Sequence, residues 1–280
     1  MTLGENSWRI PNAKLQLSNG YAADFDHFAR LLNVVCRDDR GRIPLVDIAE
    51  AVGLAERHMK GLCGLASALG LLHQITYKPT PLGRLIEAQD PFLDDIGTLW
   101  FLHYVISSDR RNLVWNCVVA HLLPNYRYVT REQVRTSLQD LSPQISEYSV
   151  KQHIGTEFKT VVGAYTNQHF SRLAYLRADG DRFLLSYRAP VPALVLAGSI
   201  TCFRDRYRPG DTAIPVADLL MAPNSPGVVF QLDEAKLRAT LEQLKRQSNI
   251  SLESRADLDQ VRLTDNTPYY VWMERYYASG

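Results

Sequence analysis

The chain has 280 residues, enough for one large domain or two to three small ones. Its 31 basic and 30 acidic residues leave a net charge of +1, which argues against a protein that coats nucleic acid nonspecifically. Hydrophobic residues make up 46% of it, ordinary for a folded protein, and no run approaches the roughly 18 apolar residues of a membrane span.

The N-terminal stretch MTLGENSWRIPNAKLQL lacks a basic region followed by an apolar core. No secretory signal is therefore expected, and the expected compartment is the cytoplasm. Residues 1–22 read as an extended arm, punctuated by Pro11, Asn19 and Gly20 and anchored by Trp8. Asp24 to Cys36 carries apolar residues at helical spacing. Leu45, Ile48, Ala49 and Val52 give a second helix that Gly53 ends. Leu54 and Ala55 form a turn, and Met59, Leu62, Cys63, Ala66 and Leu69 line a third helix. Gly70 closes it, and the glycines of GLCGLASALG permit close packing. A β-prone run from His73 to Tyr77 and a Pro-Thr-Pro-Leu-Gly tip complete the order of a winged helix-turn-helix. Arg57, His58 and Lys60 supply polar reach at the start of its last helix.

Ile96 to Ile106 and Leu113 to Leu123 are strongly apolar, separated by Asp109-Arg110-Arg111. They predict a buried antiparallel helical hairpin, with His103 and His121 as core histidines. Asp90, Asp94 and Asp95 precede the first of these helices, where acidic residues favour the helix dipole.

A second unit runs from Thr130, an N-cap with Gln133 in the capping-box position. Ser142-Pro143 ends its first helix, and Ser149 caps the helix that follows. Leu173 to Leu176 and Arg182 to Tyr187 then flank Asp179-Gly180 as a hairpin. A third, weaker copy spans about 214–264: the short helix VADLLM opened by Pro215, a turn at 223–227, a helix begun by Asp233, and two strands between Ile250 and Leu263. The aromatic tail PYYVWMERYYAS suits closure onto the core or onto a partner.

The expected fold is mainly α with small β-wings: multiple winged helix-turn-helix modules around a central helical hairpin. The expected divisions are 1–90 for the arm and first module, 91–126 for the hub, 127–210 for the second module, and 211–280 for the third module and tail.

Charge is uneven along the chain. Arg127 to Gly210 holds 12 Lys+Arg against 7 Asp+Glu, and Asp211 to Gly280 holds 7 against 10. A basic middle places a nucleic-acid face there or across the first two modules. Its candidates are Lys151, Gln152, His153, Lys159 and Arg172 in the second unit. Arg204, Arg206 and Arg208 alternate with Phe203 and Tyr207 in FRDRYRPG, a pattern suited to phosphate contact and base stacking, or else to a solvated surface strand.

Catalytic signals are sparse. There is no GxSxG, P-loop lysine, HExxH or Rossmann glycine pattern. The four cysteines include no CxxC pair, and the histidines do not pair at metal-ligand spacing, so neither metal nor cofactor is expected. Cys36, Cys63 and Cys117 read as buried, reduced thiols. Cys202, beside Phe203 and before the basic run, is the reactive candidate.

The segment TPLGRLIEAQDPFLDDIGTLWFLHYVIS, with Thr80 to Gly83, Asp90 to Asp95 and Gly97 to His103, resembles the hallmark of an uncharacterised bacterial domain-of-unknown-function family. SPGVVFQLDEAKLRATLEQL, from Ser225 to Leu244, is similar to its C-terminal segment. The family's usual N-terminal Gly-His-Glu/Gln-Thr-Phe signature has no counterpart here. The resemblance implies a cytoplasmic partner of DNA phosphorothioation or phage-defence machinery. The expected function is noncatalytic binding of double-stranded DNA within such a system. An adaptor that docks modification or restriction subunits is the alternative, and a nuclease or sulfur-handling enzyme a distant third.

Overall fold

A computed structural model describes residues 10–141, 146–186, 188–247, 249–255, 258–263 and 267–279. The expectations placed on Trp8, on the Ser142-Pro143 break and on Tyr187 lie outside these residues.

Helix α1 (Phe25–Cys36) starts where the Asp24 carboxylate accepts the His27 amide, and it buries Phe25, Phe28, Leu31, Leu32 and Val35. Helix α2 (Leu45–Val52) stops at Gly53, whose φ of +78° is the left-handed conformation that glycine adopts without penalty. Helix α3 is Glu56–Ala68. After it the sequence expectation needs correction. His73 to Tyr77 forms no strand; the chain closes a single antiparallel bridge, Leu72 to Pro79. The Pro-Thr-Pro-Leu-Gly stretch is not a loop tip. Thr80 accepts the Gly83 amide and Pro81 occupies the first turn, so helix α4 (Pro81–Gln89) begins there.

Helix α5 (Ile96–Ser108) is buried on every side over Gly97–Ser108. Asp95 caps it through the Thr98 amide, and Asp90 in turn accepts the amides of Asp94 and Asp95. The second hub helix is three pieces: α6 (Leu113–Asn116), a π-helical turn (Cys117–Leu122) and α7 (Leu123–Tyr126). The wider turn buries Cys117, Val118, Val119 and Leu122 and leaves His121 exposed. His121 is thus not a core histidine.

Strand β1 (Tyr128–Val129) precedes α8 (Arg131–Leu141), where Thr130 and Gln133 exchange side-chain and backbone bonds as a capping box. Helix α9 (Glu147–Thr166) is capped by Ser146, three residues before the expected Ser149. A 3-10 turn (His169–Leu173) takes in Leu173, the first residue of the expected strand. Strands β2 (Leu176–Asp179) and β3 (Arg182–Leu185) form the hairpin, with Asp179 opposite Arg182, so its loop is Gly180-Asp181, one residue later than expected. The β3 strand also pairs with β1, giving the order β1-β3-β2.

Helix α10 (Ala193–Tyr207) contains FRDRY, so Arg204 and Arg206 are helical and not on a surface strand. It packs on α5, and the expectation that the hub is a two-helix hairpin is incomplete for that reason. Strand β4 (Ala213–Pro215), α11 (Val216–Met221) and α12 (Pro226–Phe230) follow. The last of these occupies the expected turn because Ser225 caps Val228 ahead of Pro226. Asp233 caps α13 (Glu234–Arg246), which buries Leu237, Leu241 and Leu244. Strands β5 (Ile250–Arg255) and β6 (Leu258–Leu263) pair antiparallel, with β4 on the other side of β6. The aromatic tail is helix α14 (Tyr269–Ala278). Its Trp272 is buried and donates to Thr201 of α10 at 2.9 Å. The described residues are thus mainly helical with two three-stranded antiparallel sheets, and their buried apolar side chains form one cluster from Leu17 to Met273. Among the described residues no helix is long and apolar enough to cross a membrane.

Candidate nucleic-acid interface and a cationic cavity

The arm lies between α3 and α9. A Cβ placed on Gly61 would stand 2.2 Å from the Ser18 carbonyl oxygen, and one on Gly64 would stand 2.6 Å from that of Leu17. Only glycine allows so close an approach of backbone to helix. On the other side Ser18 is fully buried, and its hydroxyl donates to Glu157 of α9 at 2.8 Å. The Ser18 amide donates to the same carboxylate oxygen at 3.3 Å. Thr160 donates to the Tyr21 carbonyl at 3.0 Å. Burial pushes the Glu157 carboxyl up, against the hydrogen bonds from Ser18 that lower it. The ring of Tyr21 stacks on His58, with centroids 4.0 Å apart.

Helical spacing orders the exposed residues around this strap. Arg57, Gly61 and Gly64 share one stripe of α3, so Arg57 lies one turn before the arm contacts. His153, Glu157 and Thr160 share one stripe of α9, so His153 lies one turn before the arm contacts there. Arg57, Lys60, Lys151, Gln152, His153 and Lys159 are all exposed, and His58 is half-buried. Burial, with the charge of His27, holds the His58 imidazole below its ordinary range. None of Arg57, Lys60, Lys151 and Lys159 makes a salt bridge among the described residues.

The other sequence candidates lie elsewhere. Arg172, beyond the end of α9, is tied to Asp94 at 2.5 Å. Arg204 pairs with its neighbour Asp205 at 2.7 Å, its side chain 11% exposed. Arg206 donates to Ser108 Oγ at 2.9 Å and stands 3.9 Å from buried Asp109. These three guanidinium groups have carboxylate partners already, and the last two are held on the hub helix α10. The aromatics that alternate with Arg204 and Arg206 lie on this helix, where Phe203 is buried.

A second basic feature was not singled out in the sequence. A cavity of about 730 Å³ opens between β2, the connector after β3, α10 and α13. Its lining includes Arg127, Arg177, Arg188 and Lys236, with no carboxylate among the described residues. The Leu185 amide donates to the Arg127 carbonyl at 2.9 Å, and the Ala189 amide donates to Leu173 at 3.1 Å, which fixes the connector. The four cations come from four separate segments, each unremarkable alone, so no motif could have announced them.

The remaining reactive groups are quiet. Cys202 is 8% exposed, and burial pushes its thiol up to about 12. Cys63 and Cys117 are buried as well, and Cys36 partly so. His103 is fully buried. Its Nε2 faces the Val229 carbonyl at 3.3 Å, so that nitrogen carries the proton and Nδ1 accepts from Tyr165 at 2.6 Å. Burial holds its imidazole down at about 3. No group of three or more His, Cys, Asp or Glu side chains suited to a metal occurs among the described residues.

Residues 50–277 match the family described as "Protein of unknown function (DUF4007)". Two solved structures, of SspB and of magnesium ion-bound SspB, superpose with a TM-score of 0.75, at 16% and 17% identity respectively. Each covers 95% of this chain and 89% of the SspB chain. At that identity the likeness establishes the fold alone. No curated protein matches the chain.

Proposed function

We propose that the chain, which belongs to the DUF4007 family, binds double-stranded DNA without catalysis. In this reading it serves a DNA-modification system of the phosphorothioation type, or a phage-defence system. The observation that carries the reading is the arm strapped between α3 and α9. It joins two helices that each present exposed basic side chains without salt bridges, with Arg57 and His153 each one turn from its contacts. The α1–α2–α3 unit with the turn at 72–79, and the α8–α9 unit with β1, β2 and β3, are read as two winged-helix modules. The third copy is α11 to α13 with β4, β5 and β6. One helix of each of the first two modules then meets a groove, and the flanking lysines meet phosphates. The buried, unreactive Cys202 supports a noncatalytic role.

Fluorescence anisotropy with a labelled duplex tests this directly. The expected result is saturable binding whose log affinity falls linearly with log salt, as counterions leave the phosphates. Absence of duplex binding at low salt, with the protein folded, would favour the adaptor that docks protein subunits.

A further inference from the structure

The cavity between the β2–β3 hairpin and α13 has the electrostatics of an anion site. Arg127, Arg177 and Arg188 line it and make no salt bridge among the described residues, while Lys236 pairs only with Asp233, at 3.2 Å. Nη1 of Arg188 is buried without a hydrogen-bond partner, and so is Nε1 of Trp100, whose side chain is fully buried and lines the same cavity. Unpaired buried donors are costly, a charged one more so, and they mark a place suited to an acceptor. Burial pushes the Arg188 guanidinium below its ordinary range, and the charge of Arg127 pushes it further, against Tyr175 and Asp233.

The cavity is also larger and more apolar than a bare oxyanion requires. Its volume of about 730 Å³ lies within the range of organic-ligand sites. Pro190, Val191, Leu196 and Leu232 add an apolar lining to the cations, which suit the oxygens of a phosphate. The geometry points to a site for a single nucleotide unit, its phosphate held by Arg177 and Arg188 and its base against the apolar lining. The nucleotide is either a free monophosphate or the 5′-phosphorylated end of a DNA strand; the recognition chemistry is shared. This site goes beyond the duplex-binding face and does not depend on it.

Isothermal titration calorimetry on the full chain tests the site with 2′-deoxyadenosine 5′-monophosphate, deoxyadenosine, inorganic phosphate, and short single strands with and without a 5′-phosphate. The monophosphate should bind at least tenfold more tightly than deoxyadenosine or inorganic phosphate. Arg188→Ala should weaken it tenfold or more, the loss expected for one charge-assisted contact. Arg177 and Ala239 are exposed, so Arg177→Ala and Ala239→Trp should keep the melting temperature and still lose binding. Binding of the 5′-phosphorylated strand alone, lost in the same variants, would assign the site to strand ends. The inference is overturned if neither nucleotide form binds in a phosphate-dependent way. It is equally overturned if inorganic phosphate binds as tightly as the monophosphate, or if the three variants bind unchanged.

Discussion

The Ser18 hydroxyl donates to the Glu157 carboxylate at 2.8 Å across 139 positions of sequence. The bond is buried and ties the arm to the middle of α9, while the backbone of the same residue rests on Gly61 of α3. One residue of an irregular segment therefore sets the spacing of two helices.

Glu157 makes that strap sensitive to pH. Its folded-state value is raised, so the native protein holds the proton more tightly than the unfolded chain does. The contribution is full below the unfolded carboxylate range and is lost as pH rises through the folded value. Wild type should accordingly lose stability relative to Glu157→Gln over the pH range above the unfolded carboxylate value. Urea midpoints of both proteins across that range check it; parallel curves would show that the carboxyl titrates as it does in the unfolded chain.

The glycine contact predicts a sharp positional contrast. Gly61→Ala drives a methyl into the Ser18 carbonyl and should destabilise by about 1–3 kcal/mol, the range of overpacking. Gly163, a helical glycine of α9 with open space at its Cβ position, should gain up to about 1 kcal/mol on substitution by alanine. Equal melting temperatures for the two variants would mean that the arm does not dock on α3.

Much of the fold is legible in the sequence. The apolar spacing of α1, α5 and α13 and the capping box at Thr130 and Gln133 carry their signals within a few residues. The misreadings share a cause. Thr80-Pro81 and Ser225-Pro226 read as loop punctuation in the sequence, though a cap followed by proline also starts a helix. Arg204 and Arg206 looked available because their partners cannot be read from spacing: Arg206 meets Ser108 and Asp109 of the hub. The strap and the cavity arise from long-range contacts, so neither leaves a local pattern.

Arg206 separates stability from binding. Burial pushes the Asp109 carboxyl up, but hydrogen bonds from Arg111 and the charge of Arg206 hold it below its usual range. Arg206→Ala should cost about 1–2 kcal/mol through lost charge-assisted bonds and leave duplex affinity unchanged. A variant with wild-type melting but weaker duplex binding would return Arg206 to the interface.

His103 predicts an acid limit. Its folded value is held at about 3, below the unfolded value, so its contribution is present above the unfolded range and declines as pH falls. Stability should drop by about 1.4 kcal/mol per pH unit below roughly pH 6.5. Replacing His103 with Gln should flatten that slope, read from urea midpoints between about pH 4 and pH 7; an unaltered slope would assign the acid limit to other groups.

The interface itself is tested by salt titration of duplex binding in two double variants, Arg57→Ala with Lys60→Ala, and Lys151→Ala with Lys159→Ala. All four side chains are exposed, so the fold should hold. Each lost phosphate contact should weaken binding and reduce the slope of log affinity against log salt by about 1. Unchanged affinity and slope in both proteins, with wild-type melting, would contradict the assignment of DNA to the α3–α9 face.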